Sequence, residues 1–337
     1  SYKKELPFSF PIMKKLLLLS ISVLFILACH SGPKEATTTQ IKLQSVTLGL
    51  MPTMDGFPFI VAHRQGIYDS LGLEVNLVRF NSANDRDAAL QAGRIDGMIT
   101  DYPSAVLLQL HHPGLAVIME NNGYFCFISS KKSGINQPEQ LKKKSIAISR
   151  GTVIEYATDL FCTKSGIKAE EINKPEIAQI PLRLNMLEYG QIEASFLPDP
   201  FATIAMNDGN RSLISTRELN IHLTGTAFTE AVLKDKKAEI ASLIQGYNLG
   251  VKYIQTHSPQ EVSTLLAEEF RISENLARLI LLPSYTPASR PNIQEINNAL
   301  QWLKEKNRIP AHYQGENLID TTFTVPKIPS YTPNTSQ

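Results

Sequence analysis

Residues 46–101 read VTLGLMPTMDGFPFIVAHRQGIYDSLGLEVNLVRFNSANDRDAALQAGRIDGMITD, a stretch in which buried-type strands alternate with short amphipathic helices. The apolar run Val46–Leu50 is typical of a strand that a parallel sheet buries on both faces. Pro58 suits the first turn of the helix that follows, and Gly66 suits the position just beyond its end. The order strand, loop, helix then repeats through Asp101. This alternation indicates an open α/β sheet.

The loops that follow the strands of this stretch are the predicted ligand site. Open α/β sheets bind ligands outside the carboxyl ends of their strands, where helix N-termini present free N–H groups. The predicted ligand contacts in this half of the chain are Asp55, Phe57, Asn81, Ser82, Asp101 and Tyr102. An alternative is that Asp55, Asn84 and Asp101 only cap helices.

Composition sets the broad class of protein. A length of 337 residues suggests about two domains, and 43% hydrophobic with 19% charged residues is ordinary for a globular protein. The 33 basic and 32 acidic residues give a net charge of +1. No basic surface for nucleic acid is therefore expected.

The amino terminus predicts export and lipidation. We interpret Met13 as the natural start and residues 1–12 as a non-native or upstream extension. Residues 13–28, MKKLLLLSISVLFILA, have the basic end and apolar core of a signal peptide. With the following Cys29 they resemble the bacterial lipobox, which implies that Cys29 is lipidated and holds the protein at a membrane. The alternative is an uncleaved membrane anchor. Polar residues 29–43 are predicted to form a flexible tether.

The pattern of strand, loop and helix begins again in the middle of the chain. Residues 145–149 predict a strand, and Arg150, Gly151 and Thr152 follow its carboxyl end. Gly151 would allow a close backbone approach, and Thr152 would cap the next helix. A later strand leads into the loop that carries Asp199. These four residues complete the loop contacts expected on the second sheet.

Other segments carry weaker signals. Residues 176–180 are predicted as a strand, 137–144 as a short helix and 211–223 as irregular. The chain is expected to be helical from Lys234 onward. The Pro- and Thr-rich residues 323–337 are predicted to be a disordered tail.

Two crossings divide the chain into lobes. Asn121–Gly123 is a turn-type break between two apolar strands, and a strand near residues 225–229 returns the chain to the first sheet. Lobe 1 is therefore expected to comprise residues 44–121 and 226–322, and lobe 2 residues 122–225. The predicted architecture is α/β, with two Rossmann-like lobes joined by a hinge.

Several motifs resemble one family of transport proteins. They are FPFIVAHRQGIYDSLGLEVNLVRF (57–80), DAALQAGRIDGMITD (87–101), SIAISRGTVIEYATDLF (145–161) and ASFLPDPFATIA (194–205). Together they resemble the periplasmic solute-binding proteins of ABC transporters, in the subgroup for nitrate, sulfonates, taurine and thiamine-type pyrimidines. The resemblance implies a type II periplasmic-binding-protein fold that closes on a small molecule. It also implies delivery to a permease and ATPase, with no cofactor, by a chain expected to be a monomer.

Residue types near the strand ends favour one ligand class. Carboxylates and aromatic residues accumulate there, whereas Arg150 is the obvious cation. We therefore favour a pyrimidine or similar nitrogen heterocycle, stacked on Phe57 and Tyr102. Tyr124 belongs to the same aromatic group, and Asp55 and Asp199 would accept from ligand amino groups. A small anion such as a sulfonate or nitrate is the alternative.

An enzyme is less well supported by the sequence. The motifs typical of zinc peptidases, serine hydrolases and phosphate-binding loops do not occur, and no metal site is expected. Some cofactor-biosynthesis enzymes share the fold, so this alternative stays open, as does a ligand-free surface adhesin. Cys126 and Cys162 are expected to be unpaired core thiols, with a disulfide as the alternative.

Overall fold

A computed structural model describes residues 43–324. The predicted extension, the signal peptide, Cys29 and nearly all of the predicted tether lie outside these residues, as do residues 325–337 of the predicted tail. The two remaining residues of that tail are part of lobe 1. Thr324 Oγ1 donates to the carbonyl of Ile118 at 2.7 Å, and the Thr324 carbonyl accepts from Arg290 Nε at 2.9 Å.

The first sheet has five strands in the order β2-β1-β3-β9-β4. Strand β1 is parallel to β2 and β3, and β9 is antiparallel to both of its neighbours. Its strands are β1 Val46–Leu50, β2 Val75–Arg79, β3 Gly97–Asp101, β4 Leu115–Glu120 and β9 Thr224–Thr229. The carboxyl ends of β1 and β3 therefore lie at one edge of this sheet.

The second sheet has four strands in the order β6-β7-β5-β8. They are β5 Phe125–Ser129, β6 Ile146–Ala147, β7 Ala194–Pro198 and β8 Arg211–Ser215. The prediction that residues 211–223 are irregular was wrong for β8, which pairs with β5. Residues 176–180, predicted as a strand, form only an isolated bridge between Glu176 and Ile148.

The two crossings between the sheets run side by side. The chain leaves the first sheet after Glu120 and returns at Thr224, two residues before the predicted boundary at residue 226, so Thr224 belongs to lobe 1. Asn121 N donates to the Thr224 carbonyl at 2.8 Å, and Thr224 Oγ1 donates to the Asn121 carbonyl at 2.9 Å. Thr226 Oγ1 donates to Asn121 Oδ1 at 2.7 Å. Each crossing thus stabilises the other, which is the arrangement expected of a two-stranded hinge.

Helices cover both sheets and form a C-terminal group. They are α1 Phe57–Arg64, α2 Ile67–Ser70, α3 Ala83–Gln91, α4 Tyr102–Gln109, α5 Val153–Lys164, α6 Ile180–Glu188, α7 Phe201–Asn207, α8 Glu230–Asp235, α9 Lys237–Thr256, α10 Pro259–Phe270, α11 Glu274–Leu279 and α12 Ile293–Glu305. Pro58 lies in the first turn of α1, and Gly66 after it has φ of 65°, as the sequence predicted. Residues 137–144, predicted as a helix, contain only the 3₁₀ turn Pro138–Leu141.

The hydrophobic core connects the lobes. One buried cluster lies on the first sheet with helices α9 and α10, and a smaller one lies within lobe 2. A third contains residues of both sheets, among them Met98 and Phe127. Within residues 43–324, no helix is both long and apolar enough to span a bilayer. Cys126 and Cys162 are buried and unpaired, as expected.

Candidate functional site

A cavity of about 50 Å³ lies between the carboxyl-terminal edges of the two sheets. Both lobes contribute to its wall. Lobe 1 supplies Met51, Thr53, Asp55, Ala83, Arg86, Ile99, Thr100, Asp101 and Thr224, and lobe 2 supplies Phe125, Ser149, Thr152, Val153, Ile154, Ala178, Ile180 and Arg183. The sequence predicted three of these as ligand contacts, namely Asp55, Asp101 and Thr152.

Asp101 is both a helix cap and a wall residue of the cavity. It ends β3 and caps α4, because its Oδ1 accepts from Ser104 N at 2.9 Å. Ser104 Oγ also donates to the carboxylate at 2.9 Å. Burial raises the pKa of Asp101 to about 6, although the positive charge of Arg86 opposes this shift. The capping alternative is therefore correct for Asp101, and the cap lies in the cavity wall.

Asp55 lies on the 3₁₀ turn Met54–Gly56 that follows β1. Its Oδ1 accepts from Thr53 Oγ1, and burial raises the pKa of its carboxyl while Arg86 again opposes the shift. It therefore caps no α-helix. Asn84, the third residue of the capping alternative, is an exposed position within α3, whose cap is Ser82.

Arg86 is a buried cation that the sequence prediction missed. It lies on α3 with 2% of its surface exposed. Its Nε donates to Asp87 Oδ1 at 2.8 Å, and its Nη1 donates to the Ile99 carbonyl at 3.2 Å. Nη2 lies 2.7 Å from Asp87 Oδ1 but makes no hydrogen bond. Arg86 therefore forms an ion pair with Asp87, and its positive charge also acts on the carboxylates of Asp55 and Asp101.

Arg183 is the second missed cation and belongs to lobe 2. It lies on α6 and is 1% exposed. Its Nη1 donates to the carbonyls of Ile177 and Ala178, at 2.9 and 3.1 Å, while its Nε has no hydrogen-bond partner. Burial lowers its pKa to about 10, and the negative charge of Glu176 opposes this shift. Among the described residues Arg183 makes no ion pair, and lobe 2 presents this guanidinium to the cavity.

Thr152 caps helix α5 where this helix meets the cavity. Its Oγ1 accepts from Ile154 N at 3.1 Å and donates to the Ser149 carbonyl at 2.8 Å. The neighbouring Gly151 has φ of 74°, and its N–H donates to Glu155 Oε2 at 2.8 Å. The N–H of Gly151, where the sequence predicted a close approach of the backbone to the ligand, thus already donates to a side chain of the protein.

The predicted residues Asn81 and Ser82 lie beside the cavity. Ser82 is buried, and its Oγ accepts from Asp85 N at 3.1 Å to cap α3. The side chain of Asn81 is exposed, but its carbonyl accepts from Ile180 N of lobe 2 at 3.0 Å. This backbone hydrogen bond holds the two lobes together next to the cavity wall.

Phe57, Tyr102 and Arg150 are among the predicted contacts that lie away from the cavity wall. Phe57 and Tyr102 are fully buried in the core, where Phe57 lies near Tyr285 with ring centroids 6.5 Å apart. Both follow strand ends, but their helices turn the rings into lobe 1, so the structure gives no support to stacking on a ligand. Arg150 is exposed and pairs with Glu176, its Nε lying 3.6 Å from the carboxylate.

Tyr124 and Asp199 form a separate cluster near the first crossing. Tyr124 donates to Asp199 Oδ2 at 2.7 Å, and its hydroxyl also contacts the Leu281 carbonyl of lobe 1. Asp199 Oδ1 accepts from Thr203 N at 3.0 Å and Oγ1 at 2.6 Å. The Arg217 guanidinium lies 3.9 Å from the Tyr124 ring centroid. Asp199 is therefore satisfied within the protein and is not part of the cavity wall.

The positions of Arg86 and Arg183 within their helices are a sequence signal that could have identified both residues. The buried positions of α3 are Ala83, Arg86, Ala89 and Leu90, and those of α6 are Ile180, Arg183, Leu184 and Leu187. In each helix one arginine lies in the inward-facing stripe. A charged residue at such a position needs a buried partner or a ligand.

The fold defines the protein class. Over residues 43–324, no group of His, Cys, Asp and Glu could hold a metal ion. Two α/β lobes with a cavity between their sheet edges have the type II periplasmic-binding-protein fold, as the sequence predicted. Residues 39–258 match the NMT1-like family, and the chain belongs to this family.

Solved structures share the fold at low sequence identity. The ligand-binding component of an ABC-type import system from Staphylococcus aureus, solved with zinc bound, has a TM-score of 0.72 at 14% identity, covering 83% of this chain and 97% of its own. The periplasmic aliphatic sulphonate binding protein SsuA from Escherichia coli has a TM-score of 0.67 at 15% identity, covering 82% of this chain and 97% of its own. The periplasmic nitrate-binding protein NrtA from Synechocystis has a TM-score of 0.69 at 12% identity, covering 80% of this chain and 83% of its own. Comparison with curated proteins yields no match.

Proposed function

We propose that this protein is the lipid-anchored, extracytoplasmic solute-binding component of an ABC importer. It captures a small solute between its lobes by closing about the hinge at Asn121 and Thr224. The observation that carries this proposal is a cavity whose wall is built by both lobes at the carboxyl-terminal edges of their sheets. Ligands of open α/β sheets bind at this edge.

Contacts across the cleft support capture by closure. The Asn81 carbonyl accepts from Ile180 N at 3.0 Å, and Arg308 of lobe 1 donates to Glu155 of lobe 2 at 2.8 Å. Such contacts form only when the lobes approach each other. A solute that touches both walls would add to them and shift the population toward the closed state.

The side chains of the cavity wall favour a polar ligand over a ring that stacks on aromatic residues. Phe125 is the aromatic residue of the wall, while Asp55, Asp101, Arg86 and Arg183 supply charges of both signs. A nitrogen heterocycle whose ring amines donate to the carboxylates is one proposed ligand. A sulfonate, taurine or nitrate bound through Arg183 is the other, and the buried guanidinium favours it.

Anchoring and delivery complete the proposal. The lipobox-like residues Ile26, Leu27, Ala28 and Cys29 support lipidation of Cys29, which would hold a monomer near its permease and ATPase. A catalytic thiol is disfavoured by burial, which raises the pKa of Cys126 to about 12 and that of Cys162 to about 11. Both thiols are therefore protonated at neutral pH and poorly nucleophilic.

A solute screen with a blocked cavity tests this function. The protein is titrated with pyrimidines, thiamine, sulfonates, taurine and nitrate while its thermal unfolding is followed. Ala83→Phe places a ring in the cavity wall, and Ala88→Phe adds the same ring to the exposed side of α3. We expect a solute to stabilise the native chain and Ala88→Phe but not Ala83→Phe. Equal stabilisation of all three would place binding elsewhere and refute the proposal.

A further inference from the structure

The two walls of the cavity carry opposite unbalanced charge, and we propose that the ligand is a compact zwitterion bound across them. Its acidic group is held by Arg183 of lobe 2, and its ammonium group by Asp55 and Asp101 of lobe 1. This inference rests on the proposed function and adds the chemical class of the solute.

The lobe 2 wall lacks an anion. Arg183 donates to two neutral carbonyls, its Nε has no partner, and it is 1% exposed. The nearby carboxylate of Glu176 is engaged by Arg150, whose N donates to it at 2.8 Å. A buried guanidinium without a paired anion is costly, and a ligand carboxylate or sulfonate would remove that cost.

The lobe 1 wall carries more carboxylates than cations. Asp55 and Asp101 accept from neutral hydroxyl and amide groups of Thr53 and Ser104. The one guanidinium beside them, Arg86, donates to Asp87. Burial raises the pKa of both carboxyls, and the positive charge of Arg86 opposes this shift without cancelling it. An ammonium group at this wall would complete the pairing.

The size of the cavity restricts the zwitterion. A cavity needs about 10–15 Å³ to hold one water on the same measure. About 50 Å³ therefore accommodates only a few water-sized groups in this closed form. A short amino acid or aminosulfonate, with its two charged groups separated by one to a few carbons, suits this space better than a substituted ring.

Matched probes test the inference by calorimetric titration of the full chain. β-Alanine and taurine are each compared with analogues that lack one charge, namely propionate, propylamine and 2-hydroxyethanesulfonate. We expect at least one zwitterion to bind about tenfold or more tightly than its single-charge analogues, because each lost charge leaves a buried partner unpaired. Analogues that bind as well as the zwitterions, or zwitterions that do not bind at all, would overturn the inference.

Two variants test which residue binds the acidic group of the ligand and which binds its ammonium group. Arg183→Gln should weaken the zwitterion at least about tenfold and abolish any difference between it and propylamine. Asp55→Asn should instead abolish the difference between the zwitterion and propionate. If Arg183→Gln does not fold, the probe series on the native chain still decides. Tight binding of nitrate or a pyrimidine, blocked by Ala83→Phe, would refute the zwitterion while leaving the proposed function intact.

Discussion

Arg308 donates two hydrogen bonds to Glu155, from Nη1 to Oε2 at 2.8 Å and from Nη2 to Oε1 at 3.2 Å. Arg308 follows α12, which packs on α4 of lobe 1, whereas Glu155 lies in the first turn of α5 in lobe 2. The same carboxylate accepts from the N–H of Gly151. One buried side chain therefore links the C-terminal segment of lobe 1 to the cavity loop of lobe 2.

Breaking the ion pair of Arg308 and Glu155 should lower the free energy of unfolding more than breaking an exposed ion pair. We expect Arg308→Gln to lower the free energy of unfolding by about 2–3 kcal/mol, because Glu155 stays buried with weaker compensation. The exposed i,i+4 pair of Arg278 and Glu274 provides the control, and Arg278→Gln should cost about 0.5 kcal/mol or less. Urea denaturation measures both. Equal losses would show that the interlobe pair adds nothing beyond a surface contact.

Asp101 should make the protein less stable as pH rises. Its folded pKa of about 6 exceeds its ordinary value of 3.8, so the folded state binds more protons between these values. This contribution is fully present below pH ~4 and is lost as pH rises through about 6, with a magnitude on the order of 3 kcal/mol. Asp55 acts in the same direction, whereas Arg86 and the donors of Ser104 limit the effect.

Asp101→Asn isolates this contribution, since asparagine can keep the helix cap without a charge. We expect the denaturant midpoint of the variant to equal that of the native chain at pH 4 and to exceed it at pH 8. Asp69→Asn, at an exposed position, should show no such difference. An Asp101→Asn chain that parallels the native protein across this pH range would contradict the assignment.

Gly151 should tolerate a side chain less well than a glycine with similar φ on the surface. A Cβ at Gly151, with φ of 74°, would lie 2.7 Å from Leu107 Cδ1 of the other lobe. Gly134 has φ of 67° and nothing within 4 Å of such a Cβ. We expect Gly134→Ala to cost about 1 kcal/mol and Gly151→Ala about 2–3 kcal/mol in unfolding free energy. Leu107→Ala in the Gly151→Ala background should recover part of the excess.

Asp55 and Asp199 should differ in their effect on binding. Asp55 is part of the cavity wall, whereas Asp199 accepts from Tyr124 and Thr203 away from it. We expect Asp199→Asn to lower stability by about 1–3 kcal/mol with little change in affinity for the solute. Asp55→Asn should weaken binding at least about tenfold. Titration and thermal unfolding of both variants separate these effects, and reduced affinity for Asp199→Asn alone would reverse the assignment.

Sequence periodicity predicted most of the fold because its signals are local. Buried strands such as Val46–Leu50 and caps such as Thr152 are set by neighbouring residues, and both are where the pattern placed them. Strand β8 was missed because Arg211–Ser215 is half exposed at the sheet edge, where the apolar signal is weak.

Local sequence patterns were sufficient to predict two sheets, the crossings between them and the sheet edge proposed as the ligand site. They did not determine which side chains face that edge. Phe57 and Tyr102 follow strand ends yet pack inward, while Arg86 and Arg183 reach the cavity from helix stripes that read as core. Only the packing of helices on the two sheets decides this, because a residue's direction depends on the rotation of its helix against distant neighbours.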